Sequence, residues 1–540
     1  MQRQFEQLDS EFDLLVIGGG ITGAWTAYDA ARRGLKVAII DRTDWAAGTS
    51  SASSKMIHGG LRYLENMEFS LVKHSLSERR TLARIAPHQL SKLKLLIPVY
   101  DDDRVGRAKY KMGLVLYDGL SGGASGGEQP ADKHQQLAAK TISKRYPFIR
   151  QTGLVGGFTY GDCQEDDARL TFEIITGAHY AGAVAVNHVA AEHLIYEDGC
   201  VTGARVKDQI TGAAINVRAQ VTVNAAGPWS PELLDDNAET AVRRVKGVHL
   251  VMPPLPAEEG FNDAIFVTSR RDGRVLFIIP WYGQMLLGTT DSDYSGNADD
   301  LRVTSEEIDY LLDAANTNFE SIRWTHDDVQ GAFAGLRTLK LESAKSATKA
   351  TRDWSLEQPF PGLLMPLGGK YTTARHDAEK IVNEVVKVGS FVETQHCTSA
   401  SRPLPWCPLG DFEVWQQQAN SRAQAAGLDA QTAHYAVKRH GRHIEHLLLQ
   451  VQQKPELCGR ISPQAPFCWG ELLVIAEREM VITLDDMLRR RMPLAILIKL
   501  NQKQLEKAAA LVSPILGWNP QKQSEQVSDM LKRYSQTFSD

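Results

Sequence analysis

The chain has 540 residues, 43% hydrophobic and 23% charged, the balance of a folded globular protein of about three domains rather than a disordered or fibrous one. Its formal net charge of −5 gives no global basic field for nucleic acid, and no apolar run approaches the ~18 residues of a membrane-spanning helix. The six cysteines, Cys163, Cys200, Cys397, Cys407, Cys458 and Cys468, form no C-x-x-C pair, which points to reduced thiols in a cytoplasmic protein and argues against a disulfide scaffold or a metal site.

Residues 1–11 are polar, lack the apolar core of a signal peptide and read as a flexible arm. The apolar run 14–17 then predicts a buried parallel strand, and Gly18, Gly20 and Gly23 follow with G-x-G-x-x-G spacing. Ala24, Ala27, Ala30 and Ala31 predict a helix with a small-residue face, stopped at Gly34. Residues 37–40 predict a second strand, with Asp41 at its end. Gly18 permits the tight turn, Gly20 the approach of a pyrophosphate, and Gly23 close helix–strand packing. The first helical turn, with Thr22, offers N–H groups to phosphate, and Asp41 can accept from a ribose diol. The motif predicts a dinucleotide site without choosing between FAD and NAD.

In residues 49–64, the hydroxyls of Thr49, Ser50 and Ser54 and the ammonium of Lys55 suit phosphate or ribose. Gly59 and Gly60 let backbone pass close to a flat ring, with His58, Arg62 and Tyr63 beside them; the alternative is a Ser-rich surface loop. Helical spacing covers 69–86. Residues 101–118 interleave Arg104, Arg107, Lys109 and Lys111 with apolar positions, a pattern that suits either an anionic lipid surface or a solvated connector. Residues 121–136 read as an exposed loop.

Strands are expected at 154–160 and 183–186, with a helix between them over 170–181. Hairpin-like alternation fills 191–223, and the strand at 221–224 runs into a small-residue turn, Ala225 to Gly227, against which a planar group can lie. A second unit of this kind, far from the glycine motif, fits an FAD domain better than a simple NAD module. Residues 242–340 alternate as an antiparallel sheet, near whose end Arg337 and Arg352 could fork an oxyanion or make surface salt bridges. The strand at 362–369 leads through Gly369, Lys370, Thr372 and Thr373 into a helix, again aiming backbone N–H groups at a cofactor. Residues 402–408 form a Pro-rich linker. The remainder is helical, with Thr483 and Asp486 as a capping box and a frayed tail within 501–540.

The stretches Gly18-Gly-Gly-Ile-Thr-Gly23, Ser50-Ser-Ala-Ser-Ser-Lys55, His58-Gly-Gly-Leu-Arg-Tyr-Leu-Glu65, Lys246-Gly-Val-His249, Gly288-Thr-Thr-Asp291, Thr351-Arg-Asp353 and Gly368-Gly-Lys-Tyr-Thr-Thr373 occur in this order. Together they resemble the FAD-dependent respiratory glycerol-3-phosphate dehydrogenases over residues 12–395, and the helical C-terminal segment is similar to that family's C-terminal domain. The resemblance implies an α/β fold, α+β overall. FAD-binding parts at 12–100, 151–240 and 355–398 form a two-layered Rossmann-like domain. A connector at 101–150 can face a membrane, an antiparallel-sheet substrate domain spans 241–354, and a helical domain spans 409–530.

It also implies oxidation of sn-glycerol 3-phosphate to dihydroxyacetone phosphate by hydride transfer to FAD, with quinone as acceptor. The enzyme would be a homodimer held peripherally on the cytoplasmic face of the inner membrane. The matching substrate contacts are Arg62, Tyr63, Arg337, Arg352, Lys370 and Thr372. Gly18, Gly20, Thr22, Gly23, Asp41, Thr49, Ser50, Ser54, Lys55, His58, Gly60, Ala225, Gly227, Gly369, Lys370 and Thr373 would meet FAD. The sequence departs from the family pattern at Thr338, where relatives carry proline, and in the Lys- and Ala-rich run 340–349.

Hydride loss from the carbinol carbon requires a base for the hydroxyl proton, and an imidazole titrates near neutral pH. His249 is the first choice and His58 the second, with Lys370 polarising the developing oxyanion. Competing readings are a glycerol-3-phosphate, amine or 2-hydroxy-acid oxidase using oxygen, and a non-catalytic FAD-binding scaffold.

Overall fold

The computed structural model describes residues 1–65, 67–122, 131–234, 242–256, 261–340 and 354–539. Its first sheet grows from the strands read as buried: Leu14, Val16, Val37, Ile39, Val221 and Val223 are all inaccessible to solvent. Glu11–Ile17 lies at the centre, parallel to Val37–Ile40 on one side and to Ala214–Asn224 on the other. Val184–Val186 and Leu363–Leu367 extend the parallel set outward. Val189–Glu197 and Cys200–Asp208 add an antiparallel ribbon beside Ala214–Asn224.

Helix Ile21–Arg32 packs against Asp167–Tyr180 and Ala374–Val388, and its buried Ala24, Ala27 and Ala30 allow the close approach. In register, Ile17 stands beside both Ile40 and Asn224. The turns that follow these strands therefore gather at one edge, where parallel α/β sheets bind ligands.

A second sheet of ten strands meets this edge. Val242–Met252 runs antiparallel to Gly331–Lys340 and to Gln284–Gly288, and the sheet continues through Val275–Trp281, Asp263–Thr268, Ser91–Tyr100 and Leu154–Gln164 to Met56–Ile57. The last three strands come from the ranges 12–100 and 151–240 that the resemblance places in the cofactor domain, and their hydrogen bonds put them in this second sheet. An apolar run encodes burial and not the identity of the strand beside it.

Three local expectations are also corrected. The N-terminal arm is anchored: Phe5–Leu8 is a 3-10 turn with both end residues buried, and Arg3 Nη2 lies 2.6 Å from Asp208 Oδ1. Those two apolar residues share one face of a single turn, which a polar average conceals. Where 121–136 read as loop, helix Arg107–Ser121 ends at its first residue and strand Gln135–Leu137 pairs with Leu154–Gln164; residues 123–130 lie outside those described. The tail does not fray: after helix Pro520–Gln536, Phe538–Ser539 pairs in parallel with Val303–Thr304.

The C-terminal helices are fastened to the first layer by buried charge. Arg491 grips Asp44 with both Nη atoms at 2.8 Å, Arg490 Nε reaches the same carboxylate at 2.8 Å, and Arg169 pairs with Glu479. Among the described residues, no helix is long and apolar enough to cross a membrane.

Candidate active site

Between the two sheets lies a cavity of about 1330 Å³, larger than the ~300–1,000 Å³ of a single-ligand pocket. One end is the first βα turn. Gly18 has φ +110°, and a Cβ on Gly23 would fall 1.9 Å from the Gly18 carbonyl oxygen, so helix Ile21–Arg32 sits directly on the turn. Gly20 and Thr22 border the cavity there, while Gly23 is consumed in packing. Asp41 Oδ2 accepts the Gly19 N–H at 2.7 Å and Oδ1 accepts the Thr43 N–H at 2.9 Å. Burial raises the Asp41 pKa above the usual carboxylate value, and hydrogen bonds from Thr43 and Gly19 oppose the shift.

Ser50 Oγ accepts the Ile21 N–H at 2.8 Å, and Thr49 Oγ1 donates to the Leu336 carbonyl at 2.6 Å, tying this loop to the second sheet. Ala225 and Gly227 form the facing wall, and Gly369 leads toward the N-terminus of helix Ala374–Val388. A floor nearly bare of side chains, two helix N-termini and a half-buried acid at the strand end fit a dinucleotide running across the sheet edge.

Two expected cofactor contacts face elsewhere. Lys55 Nζ lies 2.6 Å from Asp167 Oδ1 and 2.7 Å from the Ser51 carbonyl, 4.9 Å from the ring centroids of both Trp281 and Phe333, and only 1% exposed. Its charge is already balanced, so the reading of Lys55 as a phosphate ligand is corrected to that of a buried ion-pair partner. Thr373 is likewise turned inward, its Oγ1 donating to Asp377 Oδ2 at 2.9 Å within its own helix.

The other end of the cavity gathers the cationic and imidazole groups. The His58 N–H donates to Thr372 Oγ1 at 3.4 Å, and the next N–H, of Gly59, donates to Tyr117 Oη at 2.8 Å. Tyr117 in turn donates to Asp162 Oδ2 at 2.7 Å, and Asp162 pairs with buried Arg79, so the turn carrying His58 and Gly60 is pinned from below. Lys370 Nζ stands 3.4 Å above the Tyr63 ring centroid, and Arg62 borders the cavity from an exposed position. Arg337, on strand Gly331–Lys340, places Nη1 3.0 Å from Asp291 Oδ1 and Nη2 3.4 Å from Thr289 Oγ1. Arg352 and the Lys-rich run after Lys340 lie outside the described residues.

His249 projects from strand Val242–Met252 and is 2% exposed. Its ring stacks on Phe333 with centroids 4.9 Å apart and planes 13° apart, and Nε2 lies 2.9 Å from Ser54 Oγ. Burial, then the charges of Lys55 and Arg337, depress its pKa to about 3, so the imidazole is neutral at physiological pH.

Several residues at or beside the cavity escaped the sequence reading. Phe333, stacked on His249, carries no polar signal. Thr483, Asp486, Arg490, Gln526 and Met530 of the C-terminal helices border the same cavity as Asp41 and His188, and His188 Nε2 lies 3.0 Å from Asp486 Oδ2. Near them Arg42 lies over the Trp229 ring at 4.6 Å and pairs with Asp299, which also accepts the Trp229 Nε1–H at 2.9 Å. The capping box marks Thr483 and Asp486 only as a helix start, and no local motif ties the C-terminal residues to the glycine turn, from which hundreds of positions separate them.

Residues 13–374 match the FAD dependent oxidoreductase family, and residues 406–523 match the C-terminal domain of alpha-glycerophosphate oxidase. The chain is 35% identical to a glycerol-3-phosphate dehydrogenase of Mycobacterium leprae, over 94% of this chain and 85% of that one. It is 34% identical to one of Synechocystis sp., over 92% and 91%. The solved glycerol-3-phosphate dehydrogenase of Bacillus halodurans, complexed with FAD, superposes with a TM-score of 0.79 at 29% identity, covering 98% of this chain and 96% of that one. An L-alpha-glycerophosphate oxidase from Mycoplasma pneumoniae shares the fold alone, with a TM-score of 0.56 at 18% identity over 74% and 100% of the two chains. With these matches along nearly its whole length, the chain belongs to the glycerol-3-phosphate dehydrogenase family of FAD-dependent oxidoreductases.

Proposed function

We propose that the protein oxidises sn-glycerol 3-phosphate to dihydroxyacetone phosphate and passes the electrons to a membrane quinone. The observation that carries the reading is the pairing, in one cavity, of a cation-lined end with a neutral buried imidazole and a glycine-walled dinucleotide trough. Bound FAD supplies the hydride acceptor.

The chain's own residues do the rest. The first helix N-terminus, with Gly18, Gly20, Thr22, Thr49 and Ser50, holds the pyrophosphate, and Asp41 takes the ribose. Ala225, Gly227, Gly60 and Gly369 admit the flat ring. Arg337, Lys370, Arg62, Tyr63 and Thr372 hold the phosphate and glycerol oxygens, and Arg352 belongs to this set by family resemblance. A substrate fixed at its phosphate presents its carbinol repeatedly in one geometry, which is where most of the advantage of such a clamp lies. His249, neutral and at the cavity wall, serves as the proton acceptor, ahead of His58.

The test is anaerobic addition of substrate to the purified yellow protein. Bleaching of the flavin band by glycerol 3-phosphate and not by glycerol is expected. A band that stays oxidised removes the substrate assignment, and peroxide formed under air in place of quinone reduction favours the oxidase reading.

The quinone and membrane part of the reading rests on a rim beside the cavity mouth. Met67 (70% exposed), Met112 (69%) and Val115 (55%) present apolar side chains to solvent, with Phe69 and Leu116 next in exposure. Arg104 and Lys109 border the same opening. An apolar rim flanked by cations suits the surface of an anionic bilayer, on which the protein would sit peripherally as a homodimer. Co-sedimentation with phosphatidylglycerol vesicles is expected, and it should fall when Met112 and Val115 are both changed to glutamate. Equal binding by the double variant places the contact elsewhere.

A further inference from the structure

The ring of His249 has a narrow set of neighbours. Nε2 lies 2.9 Å from Ser54 Oγ, while Nδ1 is sealed from solvent and has no hydrogen-bond partner among the described residues. Phe333 stacks on the ring, and a Cβ at Gly288 would fall 2.4 Å from Cδ2, so backbone closes against that edge. Among the described residues, the polar atom that meets Nε2 is the Ser54 hydroxyl, so a proton entering the imidazole does so at Nε2. Both residues border the cavity, with Ser54 half-buried and His249 nearly inaccessible.

The hydroxyl is also held in place. The Ser53 N–H donates to Asp167 Oδ2 at 3.0 Å, the Lys55 N–H donates to Ser53 Oγ at 3.0 Å, and Lys55 Nζ is fastened to the same Asp167. Ser54 thus stands between two anchored neighbours, and little reorganisation is needed when a proton moves through it.

We propose that Ser54 is a catalytic residue, the relay that takes the carbinol proton and hands its own to His249. The proposal rests on the glycerol 3-phosphate reading above. The carbinol O–H bond breaks as Ser54 Oγ gains that hydrogen, and the Ser54 O–H bond breaks as His249 Nε2 gains the other. Ser54 ends neutral and the imidazole ends with one added proton and one positive charge. The electron pair of the carbinol O–H bond becomes the second carbon–oxygen bond, while the hydrogen on carbon departs with its own pair in the dehydrogenation. Direct contact between carbinol and Nε2 would require displacing the serine hydroxyl.

The test compares wild type with Ser54→Ala and Ser54→Thr. Anaerobic flavin bleaching by glycerol 3-phosphate is followed by stopped flow in mixtures of light and heavy water. FAD affinity is measured separately, by titrating apoprotein and reading flavin fluorescence. The relay requires a bleaching rate about 10²–10⁴-fold lower in Ser54→Ala, FAD affinity close to wild type, and recovery of most of the rate in Ser54→Thr. It also requires a bowed dependence on deuterium fraction in wild type, the signature of two protons in flight. A Ser54→Ala variant that bleaches at the wild-type rate, or loses FAD affinity in step with its rate, overturns the relay, as does a linear deuterium dependence in wild type. Wild type that glycerol 3-phosphate fails to bleach overturns the substrate reading instead, and the relay with it.

Discussion

Arg337→Met is expected to lower kcat/KM for glycerol 3-phosphate by about 30- to 5,000-fold, the equivalent of the ~2–5 kcal/mol lost when one partner of a desolvated charge pair is truncated. Glycerol, which lacks the phosphate, should leave the flavin oxidised in wild type and variant alike. The guanidinium is pre-aimed, with Asp291 at 3.0 Å on one nitrogen and Thr289 at 3.4 Å on another, so an incoming phosphate does not have to order it. Arg337→Lys keeps the charge but loses the planar fork, and should recover only part of the loss.

The same substitution has a pH signature. Arg337 and Lys55 are the two cations that add to burial in holding His249 near a pKa of about 3. His249 accepts a proton only while neutral, so its working range ends on the acid side at its own pKa. Removing Arg337 raises that pKa, and the acid limb of the kcat/KM profile should move to higher pH. An unmoved limb would mean that the group controlling it is not His249.

Arg491→Met carries the largest expected cost in stability, about 3–5 kcal/mol, because it breaks a buried ion pair by removing one partner. Arg491 is fully buried, with both Nη atoms 2.8 Å from Asp44, Nε 3.0 Å from the Glu479 carbonyl and its guanidinium 4.0 Å from the Phe172 ring. Asp44 would keep Arg490 and the Asn187 amide, which stands 2.9 Å away, but lose its two-point grip. Urea denaturation followed by flavin fluorescence should show the loss as an earlier midpoint. The double variant Asp44→Asn, Arg491→Met should lose less than the sum of the two single changes, since the charge each leaves behind is gone.

The first half of the site was legible in the sequence because it is local. Gly18, Gly23 and Asp41 lie within one strand–helix–strand unit, where spacing along the chain maps directly onto spacing in the structure. Arg337 stood out beside Arg352 as a possible oxyanion fork or a surface ion pair, while His249 came into view only through the wider motif set, since a histidine on a strand has no signature of its own. Lys55 was misread for a physical reason: a lysine after a run of serines looks like a phosphate ligand until Asp167, on a distant helix, is seen to neutralise it. The membership of Ser91–Tyr100 and Leu154–Gln164 in the second sheet was illegible for the same reason, because strand pairing is decided by tertiary contacts.

The contribution of the C-terminal helices to the cavity wall has a consequence for how the protein is made. Thr483, Asp486, Arg490, Gln526 and Met530 border the trough that the first forty residues begin. A chain emerging from the ribosome folds its N-terminal units first, so the glycine turn and Asp41 are in place while one wall of their cavity has yet to be synthesised. The docking of residues 483–530 then completes the compartment, with Arg490 and Arg491 closing on Asp44. Lasting capture of the dinucleotide belongs to the end of biosynthesis, and a chain stalled before these helices would display the nucleotide-binding motif without the enclosure that retains its ligand.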